Sequence, residues 1–122
     1  MSRYDPLKEP SPMWCKLSEA EQIEIVRLYH KRNRIKLPNA MVHAVFHVTV
    51  ENQVRGLPQA KAALERLVAE GLDRHEAVHA IGSVLAGHMW SLANKPRPQG
   101  DPNAPYLEAL DRLTAESWRN SE

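Results

Sequence analysis

An all-α fold is predicted for this 122-residue chain by three observations: capping residues ahead of apolar runs, glycines at their ends, and apolar residues recurring at helical intervals. Together they describe a compact helical bundle of four main helices plus one short helix. Residues 1 to 17 hold Pro6, Pro10 and Pro12 among polar side chains and read as an irregular arm. Residues 18 to 122 form a single helical domain, with its histidine-rich core at residues 39 to 93.

The first helix begins after Leu17. Ser18 followed by Glu21 is a capping box, and Ile23, Val26 and Leu28 supply apolar positions up to about Asn33. Pro38 and Asn39 introduce the second helix, which ends near Arg55 and Gly56. Val42, Val45, Val48 and Val50 are β-branched and part of this run alternates as a strand would, but Met41, Val45, Phe46 and Val48 also recur at helical intervals. Pro58 suits the first turn of a short helix through Leu64, Leu67 and Val68, which Gly71 closes. Asp73 caps the next helix, with Glu76 at its third position and Ala77, Val78, Ile81, Leu85 and Leu92 along it. A proline-rich linker, residues 94 to 102, leads to a last helix at about 105 to 118 carrying Leu107, Leu110, Leu113 and Trp118 near one face.

Composition narrows the function. Sixteen basic and fifteen acidic residues leave a net charge of +1, too little to steer the chain toward nucleic acid or a membrane. Arg3, Lys8, Lys31, Arg32, Arg34 and Lys36 make the N-terminal third locally basic, but without interleaved aromatic residues they read as a solvated face. No apolar run approaches the roughly 18 residues of a membrane span, and the chain opens with polar, proline-rich sequence rather than a signal peptide. The single Cys15 permits no internal disulfide, so the expected compartment is cytoplasmic. Trp14, Trp90, Trp118, Tyr29 and Tyr106 are large amphipathic side chains of the kind used at interfaces, and support a homodimer.

The chemistry lies in two histidine pairs, His43 with His47 and His75 with His79, each at i, i+4 spacing. Positions four apart on a helix lie about 40° apart in projection and about 6 Å apart along the axis, so each pair forms one stripe, and Glu51 extends the first. Two such stripes facing each other bring imidazole and carboxylate donors together. Burying those groups in an apolar bundle is costly unless each finds a partner, and a divalent transition metal, zinc or iron foremost, supplies one for all. The expected ligands are His43, His47, Glu51, His75, Glu76 and His79. Glu76 and Glu51 are also the candidate catalytic proton acceptors. Asn52 and Gln53 are expected beside the cluster, where their amides would orient a ligand or a bound water.

His75-Glu76-Ala77-Val78-His79 matches the zinc-peptidase pattern H-E-x-x-H, but Leu85 stands where the longer metzincin motif has its third histidine. His88 follows His79 by nine residues and falls on the opposite side of a continuous helix. Glu76-Ala77-Val78-His79 also fits the E-x-x-H step of di-iron bundles, which require four carboxylates where only Glu51 and Glu76 are well placed. A mononuclear histidine-rich site, or a dinuclear one bridged by Glu51 or Glu76, fits better. His30 and His88, single histidines on helices, read as surface or core residues before they read as ligands.

The run His43-Ala-Val-Phe-His47-Val-Thr-Val-Glu51-Asn52-Gln53, followed by Asp73-Arg74-His75-Glu76-Ala77-Val78-His79-Ala80-Ile81, resembles a group of short, uncharacterised bacterial proteins classed only as domains of unknown function. They carry paired H-x-x-x-H motifs with E-Q or E-N-Q between. The resemblance spans roughly residues 38 to 93. It implies a shared architecture with His43, His47, Glu51, His75 and His79 as its polar cluster, and implies no substrate. Two readings stay open: metal-dependent hydrolysis or redox chemistry on a small molecule, or a non-enzymatic structural or interaction module with a closed metal site or a metal-free histidine cluster.

Overall fold

Ser18 and Glu21 make the reciprocal contacts of a capping box: the Glu21 backbone N–H donates to Ser18 Oγ at 3.2 Å and the Ser18 N–H to Glu21 Oε1 at 3.0 Å. They open α1, Glu19–Arg32. A computed structural model describes residues 4–32, 40–96 and 100–120. Asn33, Pro38 and Asn39 lie outside the described residues, as do Arg97, Pro98 and Gln99 of the linker and Arg3, Arg34 and Lys36 of the basic group.

The element order continues with α2, Ala40–Gly56, α3, Pro58–Ala69, α4, Arg74–Asn94, α5, Ala104–Arg112, and α6, Ala115–Asn120. A 3-10 turn, Pro12–Lys16, precedes α1. The all-α class stands, and residues 42 to 50 are helical throughout. The count of four main helices and one short helix is corrected: the described residues form six α-helices and one 3-10 turn.

Two causes account for the difference, one local and one remote in sequence. In the arm, Pro12 fixes the first position of the 3-10 turn and buries Trp14. At the C-terminus, the expected single helix breaks because Leu113 is extended, at φ −67° and ψ 128°. Its carbonyl, together with that of Leu110, accepts hydrogen bonds from the Arg66 guanidinium of α3. Thr114 and Ser117 then cap α6 with reciprocal side-chain bonds at 3.0 and 3.1 Å.

Between α3 and α4 the chain turns through Gly71 at φ 107°, a conformation that only glycine adopts without strain. The Leu72 N–H donates to the Leu67 carbonyl and the Gly71 N–H to that of Val68, the paired contacts of a Schellman end. Asp73 then caps α4 by accepting from the Glu76 N–H at 2.8 Å.

α2 packs against α1 and also against α3 and α4. Ala44 and Val48 join Tyr4, Trp14 and Val26 in one apolar cluster. Val50 and Val54 join Leu67, Ile81 and Leu110 in the larger one. Val48 and Val50 face different clusters, so α2 carries buried valines on two sides, whereas Val42 and Val45 are exposed. Where the two clusters meet, α1, α2 and α4 converge on the histidines. Among the described residues, no helix is long and apolar enough to cross a membrane.

Candidate metal centre

Five imidazoles gather between α1, α2 and α4. His43 and His47 project from α2 with ring centroids 4.7 Å apart, and His75 and His79 from α4 at 4.4 Å. His30, in the last turn of α1, lies 4.6 Å from His43 and 4.8 Å from His47. His47 is the hub, with centroids 4.8 Å from His79 and 5.1 Å from His75.

The tightest donor group is His30, His43, His47 and His79, whose ligating nitrogens lie within 4.8 Å of one another. A cation with metal–nitrogen bonds of about 2.0–2.1 Å holds its nitrogens at most about 4.2 Å apart, so small side-chain rotations close the group onto one ion. His75 stands just outside this group, its ring against both His47 and His79.

The hydrogen bonds fix which nitrogen faces inward. His30 Nδ1–H donates to the Val26 carbonyl at 2.9 Å, which leaves Nε2 with its lone pair. Tyr4 donates its hydroxyl proton to Glu51 Oε2 at 2.7 Å, so its oxygen accepts from His47 Nδ1–H at 2.9 Å. His47 Nε2 is thereby a bare acceptor, facing His79 Nε2 at 2.8 Å. The Nε2 atoms of His30, His43 and His75 are buried and have no hydrogen-bond partner among the described residues, as is true also of His88 Nε2 outside the cluster. Buried polar atoms almost always find partners, so lone pairs left together mark a place where a cation fits.

Burial and the neighbouring imidazoles keep these rings neutral. His43 and His79 are lowered to about 4, each first by burial and then by other histidines of the cluster. The same causes hold His47 far below the usual range, and burial also lowers His30 and His75. Neutral imidazole is the form that binds a metal.

Glu51 is fully buried behind the cluster. Arg74 grips it in a bidentate pair, Nη2 to Oε1 at 2.7 Å and Nη1 to Oε2 at 2.8 Å. The result is a continuous chain from Arg74 through Glu51 and Tyr4 to His47. Arg74 also donates to the Pro6 carbonyl at 3.0 Å, tying the arm to the same network. Burial and the Glu51 carboxylate push the Tyr4 phenol well above its ordinary value.

The other sequence candidates lie elsewhere. Glu76 is exposed, about 100° round α4 from His75. Asn52 faces the arm: its Oδ1 accepts from Trp14 Nε1 at 3.0 Å and its Nδ2 donates to Gln22 Oε1 at 2.9 Å. Gln53 Oε1 accepts from the Tyr106 hydroxyl at 2.5 Å, facing α5. His88 stacks on Tyr106 at 5.5 Å, away from the cluster. Cys15 is exposed.

Sequence reasoning ranked His30 below the paired histidines, although it follows buried Gln22 and Val26 at successive four-residue steps. It missed two contributors: Tyr4, in an arm without periodicity, offered no such signal, and Arg74, at a helix start, gave no sign that it holds a buried carboxylate.

A cavity of about 270 Å³ adjoins the cluster, lined by His43, His47 and His79 together with Phe46, Val78, Gly82, Ser83 and Trp118. No protein-family model, curated protein or solved structure matches this chain, so its paired histidine motifs stand without a family assignment.

Proposed function

We propose that this protein is a non-enzymatic metal-binding helical module, in which one divalent transition-metal ion, zinc or iron, is held by the imidazoles of α1, α2 and α4. The carrying observation is the set of buried Nε2 atoms on His30, His43 and His75 without hydrogen-bond partners among the described residues, beside the facing pair of His47 and His79. Both metals accept nitrogen shells, and the neutral rings need lose no proton to bind. Coordination adds α1, through His30, to the link that the His47–His79 contact and the Glu51–Arg74 pair already make between α2 and α4. Glu51, through Tyr4, fixes the tautomer and orientation of His47.

A hydrolytic reading is supported less well, because neither carboxylate is free to take a proton from a metal-bound water. Glu51 is engaged by Arg74 and Tyr4, and Glu76 is on the exposed side of α4. A metal-free histidine cluster is favoured by one contact, the 2.8 Å approach of His47 Nε2 to His79 Nε2, where His79 would donate. The homodimer rests on a narrower base than the five aromatic residues: Trp14 and Tyr106 are buried, whereas Trp90 is 59% exposed beside exposed Met89.

Elemental analysis of protein purified without an affinity tag distinguishes these readings. About one equivalent of transition metal per chain is expected as isolated or after reconstitution. Less than about 0.2 equivalents after reconstitution would favour the metal-free cluster.

A further inference from the structure

The cavity beside the histidines is mixed in its chemistry. Its lining combines His43, His47 and His79 with the apolar side chains of Phe46, Val78 and Trp118. His30 and His75 are absent from the lining, so a cation held by the cluster has two of its imidazoles on the far side and its accessible side toward the cavity. Four imidazoles leave two positions open on an ion that takes six ligands, as iron(II) does, whereas they would fill a tetrahedral zinc shell. Ser83, exposed, stands at the cavity's solvent side.

Charge and volume define the ligand. A divalent ion among neutral imidazoles is uncompensated by the buried carboxylate behind the cluster, since Glu51 is already paired with Arg74. Among the described residues, no Asp, Glu, Lys or Arg lines the cavity. An anionic donor therefore offsets the ion's charge, while the rest of the ligand must suit apolar walls. The cavity's volume of about 270 Å³ is the share of about nine water molecules in the liquid, and falls just below the range of drug-sized pockets.

We infer that this cavity binds a small monoanion with an apolar body, whose carboxylate, phenolate or thiolate head completes the shell of a metal held by His30, His43, His47 and His79, the last three of which line the cavity. The inference rests on the metal-binding reading above and adds to it an exchangeable position and a ligand class. It makes the module a receptor for a small molecule, with the ion serving as the anchor for the ligand's head and Phe46, Val78 and Trp118 selecting its body.

Cobalt(II) serves as the spectroscopic metal, with benzoate as probe and acetate as the same head without the ring. Cobalt stoichiometry is measured first: failure to load overturns the metal reading itself, and this inference with it. With cobalt loaded, benzoate should shift the visible absorption bands at one equivalent and bind at least about tenfold more tightly than acetate, through burial of its ring. Ser83→Phe, a change at an exposed position that donates nothing to the cluster, should keep the cobalt content and abolish the preference for benzoate. Trp118→Ala should reduce that preference while leaving acetate unaffected. A loaded protein whose spectrum ignores benzoate, equal binding of benzoate and acetate, or benzoate binding undiminished in metal-free protein would each overturn the inference while leaving the metal site intact.

Discussion

His47 depends on a residue 43 positions away in sequence. Tyr4 Oη accepts its Nδ1 proton and passes the interaction on to Glu51, so the tautomer that aims Nε2 at the cluster is set by the arm. Tyr4→Phe keeps the ring packed on Trp14 and Tyr29, at 5.6 and 5.7 Å, and removes only the hydroxyl. Metal affinity should then fall by about 10–100-fold in a chelator competition, with the helical circular-dichroism signal retained. Unchanged affinity would show that His47 is oriented without the arm. Arg74 faces a different hazard, because removing it leaves the fully buried Glu51 without its ion-pair partner, with the Tyr4 hydroxyl still donating to it. Arg74→Ala should cost about 3–5 kcal/mol in equilibrium urea unfolding. Combining Arg74→Met with Glu51→Gln should recover part of that loss, since no unpaired charge is then left inside.

The starts of α1 and α4 are legible in the sequence because capping is local chemistry: Ser18 with Glu21, and Asp73 with the Glu76 N–H, sit within one turn of each other. Asp73→Ala should destabilise the protein by about 1 kcal/mol, read as a lower urea midpoint with an unchanged slope. A neutral effect would mean that the first turn of α4 is held by packing alone. The break between α5 and α6 is not legible, because Leu107, Leu110, Leu113 and Trp118 keep a helical rhythm across it. The cause is remote: Arg66 of α3 takes the carbonyls of Leu110 and Leu113, and Glu70 Oε1 accepts from the Ala115 N–H at 2.9 Å. In α2, Val48 and Val50 pack into different clusters, which the local sequence does not announce, while Val42 and Val45 are exposed.

Across the whole molecule, the i, i+4 pairs announced two sides of the histidine cluster, and the third side and its back wall came from segments with weaker signals. His30 is a single histidine at the end of α1, and Tyr4 lies in proline-rich sequence; only the packing of the arm and α1 onto α2 brings them in. Concentrating neutral imidazoles in one interior also ties stability to pH. His43 and His79 lie at about 4 in the folded protein against an ordinary 6.5, so the unfolded chain takes up protons first as pH falls. Stability of the metal-free protein is therefore full above about pH 6.5 and lost progressively toward about pH 4, a trend that urea midpoints across this window would register and a flat profile would contradict. Bound metal should raise the midpoints at neutral pH, because the ion binds the folded arrangement and not the open chain. X-ray absorption of the zinc-loaded protein reads the shell itself. The expected spectrum has four or five nitrogen neighbours at about 2.0–2.1 Å with imidazole outer-shell scattering, reduced in His47→Ala. A shell dominated by oxygen, or a spectrum that His47→Ala leaves unchanged, would contradict coordination by this cluster.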